Sequence, residues 1–316
     1  MTMQAAVIQG YGDPSVLDVR TVERPEPGPG EVLVRVRSSS VNPVDCNVRR
    51  GELRMMMRLR FPATLGIDLA GEVAAVGEGV SGLAAGDEVF GWNHLRAGGA
   101  WAQYVVSKAE WLQPKPATLT MDEAGSLGGT AVTALQGLVR QGELEAGMHA
   151  LVVGASGGVG TVAVQIAKAL GARVTAVCGT DCVELVRGLG ADRVVDYRRQ
   201  DVHDTDERYD VVLDCVGRES YWAWRRHLTP RGRHVIVPAS PLHMLSSLLS
   251  RLDGRRRSRF FFADPVPEDL ARVRQLAEQG QLRPVIDRRF PLAAVAEANR
   301  YSETGHAHGK IVLEMP

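Results

Sequence analysis

Cysteine is scarce in this chain. Four occur in 316 residues, at positions 46, 178, 182 and 215. They form no CxxC pair and no dense cluster, which excludes a disulfide framework and a thiolate-rich metal lobe and points to free thiols in a reducing compartment. Net charge is also missing: 37 Lys and Arg balance 37 Asp and Glu. No global field draws the chain to nucleic acid or to an anionic membrane, so neither is expected as a partner, although local basic clusters stay open. No apolar run approaches a membrane span of about 20 residues. The start, MTMQAAVIQGYGD, has no basic leader and no secretory core. These absences make the cytoplasm the expected location. Internal repeats and low-complexity segments are absent as well.

What is present is a change of pattern along the chain. The first third holds short strand-like runs, MQAAVIQ, EVLVRVRSSSV, LAGEVAAVG, DEVFG and AQYVVS, broken by glycine, proline and acidic turns. RPEPGPGEV is a loop before a strand. Such spacing predicts a twisted antiparallel sheet or partial barrel. Near Thr120 the pattern switches. Thr120 and Glu123 form a capping box, and one helix is expected through TMDEAGSLGGTAVTALQGLV. Strands and helices then alternate: HALVVG, VGTVAVQIAKAL, ARVTAVC, CVELVRGLG, RVVDY, YDVVLDCV, SYWAWRRHL and RHVIV. Alternation predicts a parallel sheet with covering helices. Val159, Val162, Ala163, Ile166 and Leu170 put one apolar helix face on that sheet. After Pro265 come two amphipathic helices and a closing strand, GKIVLEM, expected to return to the first sheet.

LVVGASGGVGTVAVQIAKALGA, at 151–172, joins strand, glycines and helix. Gly154, Gly157 and Gly160 give the spacing GxxGxxG, with Ala155 where the dinucleotide pattern has its first glycine, and with Ser156, Gly158 and Val159 between. The first glycine permits the tight turn, the middle one lets backbone approach a pyrophosphate, and the last lets helix and strand pack closely. The helix N-terminus offers N–H groups to the anion. No Gly-Lys-Ser or Gly-Lys-Thr follows, so a P-loop is disfavoured. The next strand ends at Cys178, Gly179 and Thr180 with no acid at its tip, which leaves room for a 2′-phosphate and favours NADPH. Asp181 shortly after keeps NADH open. Tyr197 and Arg198 are further candidates near the phosphate.

Together these segments resemble the medium-chain dehydrogenase/reductase superfamily, in its zinc-independent quinone oxidoreductase and enone reductase branch. SSSVNPVDCNVRRG, GIDLAGEVAAVGEGVSGLAAGDEVFG, LGGTAVTALQGL, VVGASGGVG, GLGADRVVDY, VVLDCVG and PVIDRRFPLAAVAEANRYSETGHAHGKIVL carry the likeness over nearly the whole chain. The resemblance implies an α/β fold: a GroES-like β-rich catalytic domain over 1–122, a Rossmann doubly wound parallel-sheet domain over 123–264, and a return to the catalytic domain over 265–316. It implies hydride transfer from a nicotinamide cofactor bound between the domains, to a small-molecule quinone or α,β-unsaturated carbonyl, by a homodimer. An enoyl reductase acting on a carrier-bound intermediate and a non-catalytic NADPH-binding protein are the alternatives.

Zinc-dependent relatives carry Gly-His-Glu where this chain reads GIDLAG. Ile67 stands at the histidine and cannot ligate, so no metal is expected. Cys46 is then an ordinary thiol lining or near the cleft, and Asp68 makes a structural hydrogen bond. The resemblance puts Asn42 beside the nicotinamide ribose and the substrate, orienting the cofactor or donating to the developing oxyanion; a turn asparagine before Pro43 is the plain reading. Thr130 matches a cofactor-facing position, or bonds helix backbone. Val216, Val237, Pro238, Ala239, Phe261 and Phe262 fall on the cofactor side of the sheet. Lys310 reaches a phosphate or solvates the sheet edge, and His306 and His308 belong to a structural return. Asp45 and Arg49 are spaced as a surface ion pair or belong to the catalytic parts. Met55 and Met56, within an arginine- and methionine-rich stretch at 49–61, are substrate candidates in a lid or a surface segment. RLDGRRRSRF at 251–260 is a solvated loop or a grip for a phosphate-bearing carrier.

Overall fold

A computed structural model describes residues 1–96, 98–237 and 240–316. Its first block contains strands β1 (Thr2–Ile8), β2 (Asp18–Glu23), β3 (Glu31–Val41), β4 (Ala63–Thr64), β5 (Asp68–Val76), β6 (Glu88–Trp92), β7 (Tyr104–Lys108) and β8 (Leu112–Pro114), with helices α1 (Pro43–Arg50), α2 (Met121–Gly125) and α3 (Gly128–Leu135). Next come β9 (His149–Val153), α4 (Gly158–Ala169), β10 (Arg173–Cys178), α5 (Val183–Gly188), β11 (Arg193–Asp196), β12 (Tyr209–Asp214), α6 (Tyr221–Trp224), β13 (Leu228–Ile236), α7 (Pro241–Leu249) and β14 (Arg257–Phe260). The chain closes with α8 (Pro267–Glu278), β15 (Ile286–Pro291), α9 (Val295–Glu303) and β16 (Lys310–Glu314).

These elements form two compact units. The first comprises residues 1–129, 265–278 and 283–316, and the second 130–264 and 279–282. In the first, β15-β16-β3-β5-β6-β8 run side by side, β7 also pairs with β3, and β2-β1-β4 make a smaller sheet. Strand β16 lies antiparallel to β3, with Ile311 opposite Val41 and Leu313 opposite Ser39. Sequence positions more than 250 apart therefore share one ladder. Ala6, Ile8, Val41, Trp101, Ile311 and Leu313 pack into one core behind it. The alternation of Val32, Val34 and Val36 on β3 builds a second, with Leu69, Val73 and Val89.

In the second unit six parallel strands run β11-β10-β9-β12-β13-β14. The inner strands β9 and β12 read almost wholly apolar because helices cover both faces of such a sheet. Helix α4 is buried more widely than one stripe: Thr161, Val164 and Ala167 are covered besides Val162, Ala163 and Ile166, whereas Val159 and Leu170 are only half-buried.

Two expected elements differ. The helix expected through 120–139 is broken between α2 and α3. A Cβ at Gly125 would stand 2.6 Å from the Ser38 carbonyl oxygen, and one at Gly128 2.5 Å from that of Gly91. The two short helices thus press backbone to backbone on β3 and β6, which a continuous helix would not. The helix expected over SYWAWRRHL is one turn, α6, because Leu228 already begins β13.

Close backbone approach also fixes Gly71, where a Cβ would meet the Arg35 carbonyl oxygen at 2.0 Å. Replacing Gly71 by alanine is expected to cost about 1–3 kcal/mol through overpacking. Gly188, on a helix with nothing within 4 Å of its Cβ position, is the control. Gly188→Ala should gain up to about 1 kcal/mol. Urea unfolding midpoints of the two variants measure both signs.

Candidate active site

The second unit builds a seat for a phosphate. Gly154 leaves β9 with φ of 76°, a left-handed conformation that favours glycine. Its N–H and that of Ala155 donate to the Val177 carbonyl at 3.1 and 2.9 Å, pinning the turn against β10. Gly157 caps α4 in extended conformation. At Gly160 a Cβ would stand 2.1 Å from the Gly154 oxygen, so only glycine lets the first turn of α4 lie this close to the strand. The N–H groups at 158–160 open a helix of twelve residues and are free of intrahelical partners by construction. Asp214, at the end of β12, accepts from the N–H groups of Val216 and Gly217 at 2.8 Å each. That turn brings Val216 beside Gly154, its Cγ2 2.7 Å from where a Cβ would be. The glycine cradle and helix terminus fit a dinucleotide pyrophosphate.

At the tip of β10, Cys178 is buried, and burial pushes its thiol up to about 11. Thr180 donates to Asp196 at 2.7 Å, and the backbone of Arg198 donates to the other oxygen at 3.0 Å. The Thr180 hydrogen bond is the main cause holding the Asp196 carboxyl below its ordinary range. Asp196 is thus an acid already engaged by its neighbours. Tyr197 is exposed, with its hydroxyl 3.4 Å from a Cβ position on Gly179. The Arg198 guanidinium pairs with Asp181 at 3.3 Å on the surface.

The first unit buries a polar network. Asp68, at the start of β5, is fully covered. One of its oxygens accepts from the Gly129 N–H at 2.6 Å. The other accepts from Ser40 Oγ at 2.5 Å, from Asn42 Nδ2 at 2.9 Å and from Lys310 Nζ at 3.2 Å. Lys310 also donates to Asn42 Oδ1 at 2.5 Å. Asp45 Oδ2 accepts from the Asn42 N–H at 2.9 Å and from its amide at 3.2 Å. Burial is the main cause that pushes the Asp45 carboxyl up to about 7, with the Asp68 charge adding to it.

Several expected roles are corrected by this geometry. Asn42 is not a free donor: both ends of its amide are engaged inside the network. Lys310 neither reaches a phosphate nor solvates an edge; it is buried against Asp68 and Asn42. Asp45 and Arg49 make no surface pair. Arg49 is buried, donates to the Gly12 carbonyl at 2.6 Å and pairs with Glu303. Cys46 is buried: it packs in the core beside Asn299, its thiol pushed up to about 11 by burial. The Ile67 side chain is buried too, and among the described residues no group of three His, Cys, Asp or Glu could hold a metal ion.

Other candidates are spread out. Thr130 is buried at the start of α3, next to the Gly129 that bonds Asp68. Met55 and Met56 are exposed on an ordered turn, fastened where the Leu59 N–H donates to Tyr11 at 3.0 Å and Tyr11 packs edge-on against Phe61. Met56, Met57, Arg58, Leu59, Arg60 and Arg96 border a groove of about 520 Å³. Phe261 packs against Gly137 within the second unit, while Phe262 is half exposed. Val237 donates its N–H to the Asp214 carbonyl at 3.0 Å. Pro238 and Ala239 lie outside the described residues. In the 251–260 stretch Arg256, Arg257 and Arg259 spend their guanidinia on backbone carbonyls and Glu143, which leaves them engaged within the fold. His306 and His308 are exposed. Gly309 after them has φ of 108°, and a Cβ there would meet the Val285 oxygen at 2.3 Å.

The model for an alcohol dehydrogenase GroES-like domain matches residues 28–117, and that for a zinc-binding dehydrogenase matches 189–313. The chloroplast envelope quinone oxidoreductase homolog of Arabidopsis thaliana is 32% identical over 99% of this chain and 98% of its own length. The chloroplastic NADPH-dependent alkenal/one oxidoreductase of the same plant is 32% identical over 98% of this chain and 79% of that protein. The quinone oxidoreductase structure from Coxiella burnetii superposes with a TM-score of 0.91 at 28% identity, covering both chains fully. The chain belongs to the medium-chain dehydrogenase/reductase superfamily, in its zinc-independent quinone oxidoreductase branch, and is an oxidoreductase with a nicotinamide cofactor.

Removing one partner of the buried pair should be costly. Lys310→Met leaves the Asp68 charge unpaired and is expected to lose about 3–5 kcal/mol, much of it regained when Asp68→Asn is added. Denaturant unfolding of both variants checks this. Asp45 supplies a pH signature. Its folded carboxyl titrates at about 7 against an ordinary 3.8, so its contribution to stability is full below the ordinary value and is lost as pH rises through the folded one. Asp45→Asn keeps the acceptor and cannot ionise. Its stability relative to the parent should therefore rise across that window, by up to about 4 kcal/mol, as read from unfolding curves at several pH values.

Proposed function

We propose that this superfamily member is an NADPH-dependent reductase that passes hydride to a quinone or to the conjugated double bond of an α,β-unsaturated carbonyl, without a metal. The observation that carries the cofactor choice is the tip of β10. No free acid stands there, since Asp196 is engaged by Thr180 and the Arg198 backbone, and a surface guanidinium lies alongside. Asp196 is engaged within the fold, and Asp181 is held at the surface by Arg198 alone among the described residues; a 2′-phosphate would meet Thr180, Tyr197 and Arg198, with Arg198 exchanging Asp181 for the phosphate.

The reduced nicotinamide, when bound, supplies the hydride. The chain's residues bind and orient. The first turn of α4 and the Gly154–Gly160 cradle hold the pyrophosphate, and Val216 packs over the glycine turn. In the first unit the Lys310–Asp68 pair, through Gly129 and Asn42, fixes the start of α3 and the turn before α1. Thr130, the first residue of the second unit, follows Gly129 directly in the chain, and its hydroxyl is our candidate for meeting charge that develops on the acceptor oxygen. The completing proton comes from solvent in this reading. Asp45 and Asp68 are buried and bonded, and the Cys46 thiol holds its proton to about 11. With Ile67 in place of a ligand, activated acceptors need no Lewis acid, which supports reduction over alcohol oxidation.

Steady-state kinetics with both nicotinamides and a panel of quinones and enones tests this. NADPH should be preferred. Arg198→Ala should raise KM for NADPH about 10- to 100-fold, the worth of one charge-assisted contact, and leave NADH unaffected. Equal use of both nicotinamides, with no effect of Arg198→Ala, removes the cofactor assignment. NADPH that binds but is oxidised by no acceptor removes the reductase.

A further inference from the structure

Helix α7 is inside out. Its buried positions are His243 and Ser246, and Ser250 follows them in the next turn. They are polar, and this side is fastened to β14: Ser247 Oγ donates to the Ser258 carbonyl at 2.6 Å, and the Ser258 N–H donates to Ser250 Oγ at 2.9 Å. Ser240 and His243 close a capping box at its start. The opposite side is leucine. Leu242, Leu245, Leu248, Leu249 and Leu252 recur at helical spacing and are 75, 53, 56, 40 and 85% exposed. No other leucine among the described residues is exposed. An amphipathic helix normally turns its apolar stripe to the core. Here hydrogen bonds hold the polar stripe in, so the leucines are presented by design of the sequence and not by a loose fit. A contiguous apolar row of this kind marks an interaction surface.

The charge beside the row decides what fits it. The segment from 240 to 260 carries five arginines and one acid, Asp253. Asp253 is engaged by Arg225 and Tyr221, and nearby Glu219 by His203. Arg251 and Arg255, both exposed, follow directly on the leucine row. A second copy of this face would bring leucines to leucines but no unengaged carboxylate to these arginines. Two antiparallel copies would also set them near the positive N-terminus of the opposing helix. A sheet of phosphates over an apolar interior complements both features. No helix of the described residues is long and apolar enough to cross a membrane, and nine residues of α7 suit a helix lying in the interface plane.

We propose that α7 and the turn after it dock on the surface of an anionic lipid bilayer. Leu242, Leu245, Leu248, Leu249 and Leu252 enter the boundary between headgroups and acyl chains, and Arg251 and Arg255 meet lipid phosphates. The zero charge of the whole chain, which spoke against a membrane partner, conceals this local patch. None of these leucines and arginines is among the residues assigned to cofactor and acceptor, and the proposal stands or falls independently of the acceptor's identity.

Co-sedimentation of the whole chain with phosphatidylcholine vesicles, with and without phosphatidylglycerol, tests this, alongside light scattering of the protein alone. The parent should pellet with the phosphatidylglycerol vesicles. Arg251→Gln with Arg255→Gln should weaken binding about 30-fold, from about fivefold per basic residue. Leu245→Ser with Leu248→Ser should weaken it at least about tenfold, with turnover of NADPH unchanged as the check that the variants fold. Absence of pelleting, equal pelleting with phosphatidylcholine alone, or binding indifferent to the leucines overturns the proposal. So does a dimer in solution that the leucine substitutions dissociate while vesicles bind nothing, which would give this face to a second copy.

Discussion

The first unit depends on one buried ion pair. Lys310 and Asp68 lie 3.2 Å apart with almost no exposure, and neither charge is tolerable there without the other. Such a pair adds little net stability once desolvation is counted. Its importance is in what it joins. Asp68 opens β5, Lys310 opens β16, Asn42 precedes α1, and Gly129 lies in α3. Four remote segments meet at two carboxylate oxygens. A strand slipped by one residue would turn Lys310 or Asp68 to the opposite face and strand a charge in an apolar layer. The network therefore specifies register more than it supplies binding energy. It also occupies the ground near Ile67, so the polar centre of this unit is organised around an ammonium group.

The second unit is organised differently. Its seat is made of backbone: a left-handed glycine, a glycine whose missing side chain lets a helix touch a strand, and the N–H groups that open α4. Side chains enter at the rim, through Val216 over the turn and Thr180, Tyr197 and Arg198 near the β10 tip. Backbone recognition of a pyrophosphate is insensitive to the identity of most neighbours, so in the proposed reading the choice of nucleotide falls to the rim.

This division explains what could be read from residues alone. The alternation of strands and helices, the glycine turn and the capping box at Thr120 were legible because each is a local pattern with a local cause. So was the return of GKIVLEM to the first sheet, since an apolar run outside an alternating block needs a sheet to join. The polar network was only half legible. A lysine inside HGKIVLE and an aspartate inside GIDLAG are charges within apolar strands, and each signals a buried partner, but nothing local says that the partners are one another across 242 positions. Asp45 and Arg49 misled for the same reason: their spacing fits a surface pair, and only the packing of α9 on α1 buries Arg49 and pairs it with Glu303. The inversion of α7 was present in the spacing of its serines and leucines, yet spacing does not say which stripe faces in.

The place of β16 has a consequence for synthesis. It lies between β15 and β3, inside the sheet rather than at its rim, and its apolar residues complete the core behind β1 and β3. A growing chain can close the nucleotide-binding unit once residue 282 is out. The unit that contains the first residues has to wait for nearly the last ones. Until Lys310 emerges, the Ser38–Val41 part of β3 lacks its partner strand and Asp68 is an uncompensated anion, so this part of the first unit spends the longest time without its final partners and is the part most in need of protection while the chain is being made.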